Sequence, residues 1–272
     1  MSFVIKRIGN HRRRLASSSG HLAPSCIFLT ATIAPPQVAV ARSDPKIRLR
    51  DYLTSLEFYN SLPSAIIDRI LFVDNSGSDI GPIEEFVRSR INDKTVEIIS
   101  FQGNEHAISH GKAYGEFKLL DFGLQHTALL STNDRFWKVT GRLRVLNLVD
   151  LIASVRTPYD VLCDLHNFPW IGTGKTFANH WMDLRLFSCT YSAYQKVFAG
   201  KYEELGPLIN QQVLYDIVMA SRIELNILPR FTEQPILAGI SGRHERDYHT
   251  GVQKIKTLMR GCIRKTVPSI WI

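Results

Sequence analysis

The stretch Arg69-Ile70-Leu71-Phe72-Val73-Asp74-Asn75-Ser76-Gly77-Ser78-Asp79 decides the fold class. Its first five residues have the length and the β-branched and aromatic content of a buried strand, and Asp-Asn-Ser-Gly cannot continue it. Side chains at the carboxyl end of such a strand line the crevice where open α/β sheets bind ligands. The acidic, hydroxyl-rich turn offers acceptors suited to the ring N–H and hydroxyl groups of a nucleotide. The same residues also fit an ordinary strand-to-helix turn, with Asp79 capping a helix that begins near Pro82.

Outward from this strand the chain alternates. Residues 26–33 read as a first buried strand that stops at Ala34-Pro35-Pro36, and residues 48–62 place Leu49, Tyr52, Leu53, Leu56 and Tyr59 on one helical face. A short helix is expected over 83–91, a strand over 96–101, and a long helix over 112–130 with Phe117, Leu120, Leu124 and Ala128 inward. Residues 136–140, 159–165 and 184–188 read as further strands, 191–200 and 207–222 as helices, and 235–240 as a last strand-like stretch. Strands separated by helices predict a Rossmann-type α/β/α sandwich with a mainly parallel central sheet.

At 272 residues, 44% hydrophobic and 21% charged, the chain has the composition of a globular protein with one large domain or two small ones. The four cysteines, Cys26, Cys163, Cys189 and Cys262, form no C-x-x-C pair, which argues against a zinc site or a disulfide framework and for a reducing cytoplasm. The net charge of +8 is unevenly spread. Residues 1–43 hold six Lys/Arg and residues 254–272 five, with no acid in either, leaving 22 basic against 25 acidic residues between them. Residues 1–25 are expected to form a basic, flexible leader, 26–250 the folded domain and 251–272 a basic amphipathic tail. Residues 26–41 imitate a secretory signal ending in Ala39-Val40-Ala41, but Ser17-Ser18-Ser19-Gly20-His21 interrupts the approach to the apolar core, so a buried strand is the better reading. In the tail, Val252, Ile255, Leu258, Met259 and Ile263 recur at helical spacing beside Lys254, Lys256, Arg260 and Arg264, and Trp271 adds an interfacial aromatic. Two readings stand: a helix lying on an anionic membrane surface, or a terminal helix packing its stripe on the domain.

His110-Gly111-Lys112-Ala113-Tyr114-Gly115-Glu116 at the start of the long helix, Lys138-Val139-Thr140-Gly141-Arg142 after it, and the Val73–Asp79 turn together resemble GT-A glycosyltransferases, in particular small bacterial capsule and lipopolysaccharide transferases. The resemblance spans about residues 26–242. It implies a nucleotide-sugar donor, a saccharide or lipid-linked acceptor, and work at the inner face of the cytoplasmic membrane, with nucleic acid not expected as a partner. Donor contacts then fall to Thr32, Asp74, Asn75, Ser76, Lys112, Lys138, Arg142 and Arg243. Asp164, Asp183 and Glu116 are candidates for the base that accepts the acceptor's proton, with Glu203 and Glu204 also eligible, and Asp183 and Arg185 are candidates for framing the acceptor. Enzymes of this kind usually hold a divalent cation such as Mn2+ or Mg2+ on an Asp-x-Asp motif, and this sequence has none. Cationic side chains can neutralise a departing diphosphate instead, so no metal cofactor is expected.

Other matches fail on chemistry. Gly172-Thr173-Gly174-Lys175-Thr176 lacks the first glycine of a P-loop, since Pro169 stands there, and His106 and His110 lack the glutamate of a metalloprotease helix. His244, Glu245, Asp247 and His249 read as solvated charges. The alternatives are a non-catalytic protein of the same fold that binds membrane or RNA, and a nucleotidyltransferase.

Overall fold

The computed structural model describes residues 3–9, 25–36, 40–90, 93–168, 179–242, 245–267 and 269–271. Its strands are β1 (Phe3–Ile8), β2 (Ser25–Ala31), β3 (Ile67–Asp74), β4 (Thr95–Phe101), β5 (Arg135–Thr140), β6 (Arg144–Val145), β7 (Val161–Leu162), β8 (Leu165–His166), β9 (Trp181–Met182), β10 (Leu186–Thr190), β11 (Ile227–Leu228) and β12 (Leu237–Ala238). The helices are α1 (Pro45–Ser61), α2 (Gly81–Arg90), α3 (Gly111–His126), α4 (Leu148–Ser154), α5 (Tyr191–Val197), α6 (Lys201–Leu205), α7 (Gln211–Ser221) and α8 (Gly251–Thr266).

Eight strands form one sheet in the order β1-β4-β3-β2-β5-β10-β7-β11. β2, β3, β4, β5, β7 and β11 run one way, and only β1 and β10 oppose them. The mainly parallel α/β/α sandwich expected from the alternation is therefore the architecture. Neighbouring residues of the central strands feed different cores. Phe28, Leu71 and Val73 pack with Phe117, Leu120 and Leu124 of α3, whereas Ile27, Leu29, Ile70 and Phe72 pack with Tyr52, Leu56 and Tyr59 of α1. A strand covered on both faces must be apolar at every position, which is why the central strands read as unbroken hydrophobic runs rather than alternating ones.

From β2 the chain passes through α1 to β3 and through α2 to β4 on one side, then returns along α3 to β5 on the other. The direction of winding thus reverses between β2 and β5, and the carboxyl ends of strands at such a reversal are where open α/β sheets place their ligand crevice. Asp79 caps α2 by accepting from Gly81 N at 2.8 Å, as the turn reading anticipated.

Two expectations are corrected at the ends. Phe3–Ile8, within the stretch expected to be a flexible leader, pairs antiparallel along all of β4. Its anchor is Glu97, wholly buried on β4, which accepts from Arg7 Nε at 2.8 Å and is also within 2.8 Å of Arg7 Nη2. The rest of that leader lies outside the described residues, apart from Gly9 and Ser25. In the tail, Trp271 is not presented as an interfacial aromatic: its backbone exchanges hydrogen bonds with Asn167 at 2.8 and 3.0 Å, and its ring packs against the core.

Arg7→Ala should leave the Glu97 carboxylate buried with only the Ala128 N–H for a partner, and should cost about 1–3 kcal/mol. Urea unfolding measures this, and an unchanged midpoint would show that β1 contributes nothing to the sheet.

Candidate functional site

The crevice at the reversal point is built from the ends of β2, β3 and β5 and the start of α3. Its floor is organised by Asp74. This carboxylate is fully buried and accepts from Ile33 N at 2.8 Å, Ser76 Oγ at 2.8 Å, Ser76 N at 3.1 Å, Ser100 Oγ at 3.3 Å and Ser78 N at 3.4 Å. Burial raises its pKa above the ordinary aspartate value, and these hydrogen bonds oppose the rise without cancelling it. Asp74 therefore does not face a nucleoside as the sequence reading expected; both oxygens are consumed in shaping the turn. Ser76 is likewise committed to Asp74, while Asn75 Oδ1 accepts from Thr32 Oγ1 at 2.7 Å. Of that group Thr32 alone is half-exposed at the mouth.

Above this floor stand two arginines. Arg48, on the apolar face of α1 with Tyr52, is 4% exposed and donates to Thr32 O at 2.6 Å, Tyr52 Oη at 3.1 Å and Arg42 O at 3.2 Å. Arg142 follows β5 in the turn Thr140-Gly141-Arg142-Leu143. That turn is pinned from α1, where Ser55 Oγ and Tyr59 Oη donate to Leu143 O at 3.0 and 2.9 Å. Gly141 N donates to Thr30 O at 2.9 Å, and a Cβ at Gly141 would sit 2.7 Å from that oxygen, so only glycine lets β5 turn this close to β2. Arg142 Nη1 donates to Ile240 O at 2.7 Å, and its buried Nε has no partner among the described residues. Gly242 lies against the same guanidinium, where a Cβ would come within 2.7 Å of Nη2.

Neither Arg48 nor Arg142 has a carboxylate partner among the described residues. Burial lowers the pKa of Arg48, and the neighbouring charge of Arg142 lowers it further. Guanidiniums without a carboxylate partner are suited to hydrogen-bond an anion. By contrast Arg42, beside them, is neutralised by Asp51 at 2.6 and 2.8 Å.

On the other face of the sheet, Lys138 does not reach the crevice as expected. It points from β5 under α3, is fully buried, pairs with Glu116 and donates to Leu184 O. Burial pulls its pKa below the ordinary lysine value. For Glu116 burial acts upward, but the charges of Lys138 and Lys112 win and hold it below the usual glutamate value. Thr30 Oγ1 donates to Glu116 at 2.7 Å, so this pair fastens α3 to β2 and β5. Lys112, on the first turn of α3, stays exposed and free to meet a ligand.

Asp164 and Asp183 are also paired. Asp164 accepts from Arg264 of α8 at 3.0 and 2.9 Å, and Asp183 accepts from Arg185 Nε at 2.9 Å and from Arg185 N at 2.8 Å. Burial raises the Asp183 carboxyl, but the Arg185 charge and hydrogen bonds overwhelm this and hold it far below the ordinary range. Asp164, Asp183, Arg185, Gln234 and Arg260 line a small cavity of about 20 Å³, room for a single water. Glu203 and Glu204 lie on α6 and are engaged by Tyr202 and Lys201. Arg243 lies outside the described residues, as does the Gly172–Thr176 stretch. Among the described residues no three His, Cys, Asp or Glu side chains converge as a metal site would require.

Arg48, Arg260 and Arg264 were not anticipated as site residues. Arg48 carried a readable signal, a charge four residues before Tyr52 within an apolar helical stripe. Arg264 carried none, because its partner Asp164 is one hundred residues away.

No family model and no curated protein matches the chain. Solved structures similar to it include an inositol-1-phosphate CTP transferase from T. maritima, at 11% identity over 91% of this chain and 98% of that one, TM-score 0.49. They also include a putative nucleotide-diphospho-sugar transferase from Desulfovibrio desulfuricans G20, at 13% identity over 76% and 79%, TM-score 0.42. A third is S. aureus TarS in complex with UDP, at 12% identity over 75% of this chain and 58% of that one, TM-score 0.41.

Asp74→Asn replaces a double acceptor by an amide that accepts with one atom only, and should destabilise the fold by about 1–3 kcal/mol. Thermal melts with and without a nucleoside diphosphate check this; lost affinity at unchanged stability would return Asp74 to the ligand. A second expectation concerns acid. Because the folded-state pKa of Asp183 is depressed, the stability it contributes is present above the unfolded aspartate pKa of about 3.9 and is lost as pH falls below it. Arg185→Met should therefore lower stability at pH 7 more than at pH 3, and an equal loss at both would show that the pair is not the source.

Proposed function

We propose that the chain is a nucleotide-sugar-dependent glycosyltransferase that moves a sugar from a nucleoside-diphosphate donor to a saccharide or lipid-linked acceptor in cell-surface polysaccharide synthesis. The observation that carries this reading is that Arg48 and Arg142, bound to Thr32 O after β2 and to Ile240 O, have no carboxylate partner among the described residues, beside the carboxyl ends of the strands where the winding reverses. A diphosphate seated between them relieves their mutual repulsion, and bidentate guanidinium contacts strengthen as the leaving group gains charge. Lys112, exposed at the start of α3, adds a third cation from the opposite wall. Thr32 lies at the mouth, where a ribose or sugar hydroxyl would meet it.

A divalent cation does not fit this crevice. The turn after β5 offers Thr140, Gly141 and Arg142 where a metal-binding enzyme would present carboxylates, and a guanidinium repels a cation. We assign the neutralising role to the arginines. Among Asp164, Asp183 and Glu116, the side chain of Asp183 is the most exposed, at 15% against 9% and 11%, and Arg185 keeps it ionised at neutral pH. It is the most accessible of the three to an acceptor proton, and the Arg185 charge that keeps it ionised also weakens it as a base.

A second reading is favoured by one observation: each of the three carboxylates is held by a cation. Attack by a phosphate-bearing acceptor on the α-phosphorus of a nucleoside triphosphate needs no base, so nucleotidyl transfer would suit the same cationic crevice. The products separate the two, since glycosyl transfer releases a nucleoside diphosphate and nucleotidyl transfer releases pyrophosphate.

Titration of UDP and CDP in excess EDTA should show binding that Arg142→Ala weakens at least tenfold, and transfer should fall on the order of 100-fold in that variant. Binding that appears only with manganese, or is indifferent to Arg142, would overturn the arginine site.

A further inference from the structure

α8 is an amphipathic helix turned inside out. Its polar side faces the protein: Arg264 is buried, bound to Asp164, to Phe231 O at 2.7 Å and to Gln234 at 3.1 Å, and Arg260 lines the small cavity beside Asp183. Its apolar side faces outward. Val252 is 65% exposed, Ile255 58%, Leu258 62% and Met259 59%. With about 100° per residue, these four and Cys262 fall on one arc of roughly 120°. Lys256 borders that arc on one side and Lys254 on the other, both exposed, with Lys265 next to Lys254 but paired to Glu233 at 3.6 Å, and residues 251–266 contain no acid. This is where a domain-packing helix differs: its apolar face would be covered, and here it is the Arg-bearing face that is covered.

We infer that the outward face of α8 is a docking surface for an anionic lipid bilayer, with Val252, Ile255, Leu258 and Met259 entering the headgroup region and Lys254 and Lys256 meeting lipid phosphates. Charge complementarity selects this occupant. Lysines on both borders of an apolar arc keep their ammonium groups in the headgroup layer while their stems follow the apolar residues inward. A second copy of the chain would bring the same lysines against these, with no acid on the helix to pair them. The helix is anchored to the domain by Arg264 at its last turn and by the Asn167–Trp271 backbone pair beyond it. The contact does not depend on the transfer chemistry proposed above.

The cysteines supply the probe. Cys26, Cys163 and Cys189 are buried and Cys262, on the apolar arc, is exposed, so an environment-sensitive thiol dye labels Cys262 selectively. The full chain, labelled there, is mixed with vesicles of phosphatidylcholine alone or with added phosphatidylglycerol, and unlabelled protein is cosedimented with the same vesicles, without any donor present. The expected result is a blue shift and cosedimentation with the anionic vesicles alone, fading as salt rises. Ile255→Glu with Leu258→Glu should abolish both, at unchanged melting temperature because the two residues are exposed. Lys254→Glu with Lys256→Glu should weaken binding more than tenfold in low salt, at about fivefold for each lysine removed. No binding to anionic vesicles overturns the inference, as does binding that survives both double variants. So does a dimer in sedimentation equilibrium that Leu258→Glu dissolves, since the arc would then belong to a second copy.

Discussion

One buried carboxylate organises the mouth of this protein. Asp74 sits at the end of β3, and its hydrogen bonds gather Ile33, two residues beyond β2, its own turn, and Ser100 near the end of β4. A charge so deep costs desolvation, which its raised pKa records, and the fold tolerates it because five donors converge on two oxygens. With three strand ends fixed to one another, the crevice between β2 and β5 has a rigid floor. The groups that line it can then be held where their own electrostatics would scatter them.

Several buried carboxylates are held by a cation, Glu97 by Arg7, Glu116 by Lys138 and Asp164 by Arg264, while Asp121 is held by the Tyr194 hydroxyl and Gly200 N. At the reversal point Arg48 and Arg142 have carbonyls and a phenol, and no carboxylate, as hydrogen-bond partners among the described residues. Paired ions add little to stability over apolar packing but fix geometry, whereas unpaired like charges store repulsion that a ligand can discharge.

The sequence disclosed the layers and hid the polarity. Unbroken apolar runs at 69–73 and 96–101 predict strands covered on both faces, and that is how Leu71 and Phe72 come to serve opposite cores. Asp79 was legible as a cap because capping is local. Lys138 and Asp74 were misread for the opposite reason. At a strand end a charged residue can point to the crevice, or can point under a helix and find a partner, and the partner for Lys138 is Glu116 on another element. Periodicity states which side chains share a face; it does not state which face turns inward. In α8 that ambiguity is resolved against the usual expectation, because Asp164, a hundred residues earlier, claims Arg264 and rolls the helix over.

This rolled helix joins the two halves of the functional argument. Its inward face reaches the cavity of Asp183 and Arg185 through Arg260, and its outward face carries the apolar arc. An α-helix with its side chains is about 10–12 Å across. A surface seated on that arc would therefore lie roughly one helix diameter from the Asp183 carboxylate. An acceptor carried on a lipid needs to reach only that far past the membrane surface, whereas a free saccharide gains nothing from the arrangement. The same Arg264–Asp164 pair that closes the fold thus sets the distance between the proposed acceptor site and the proposed lipid surface. Loosening that pair should disturb acceptor use before it disturbs the donor crevice, whose floor rests on Asp74 and owes nothing to α8.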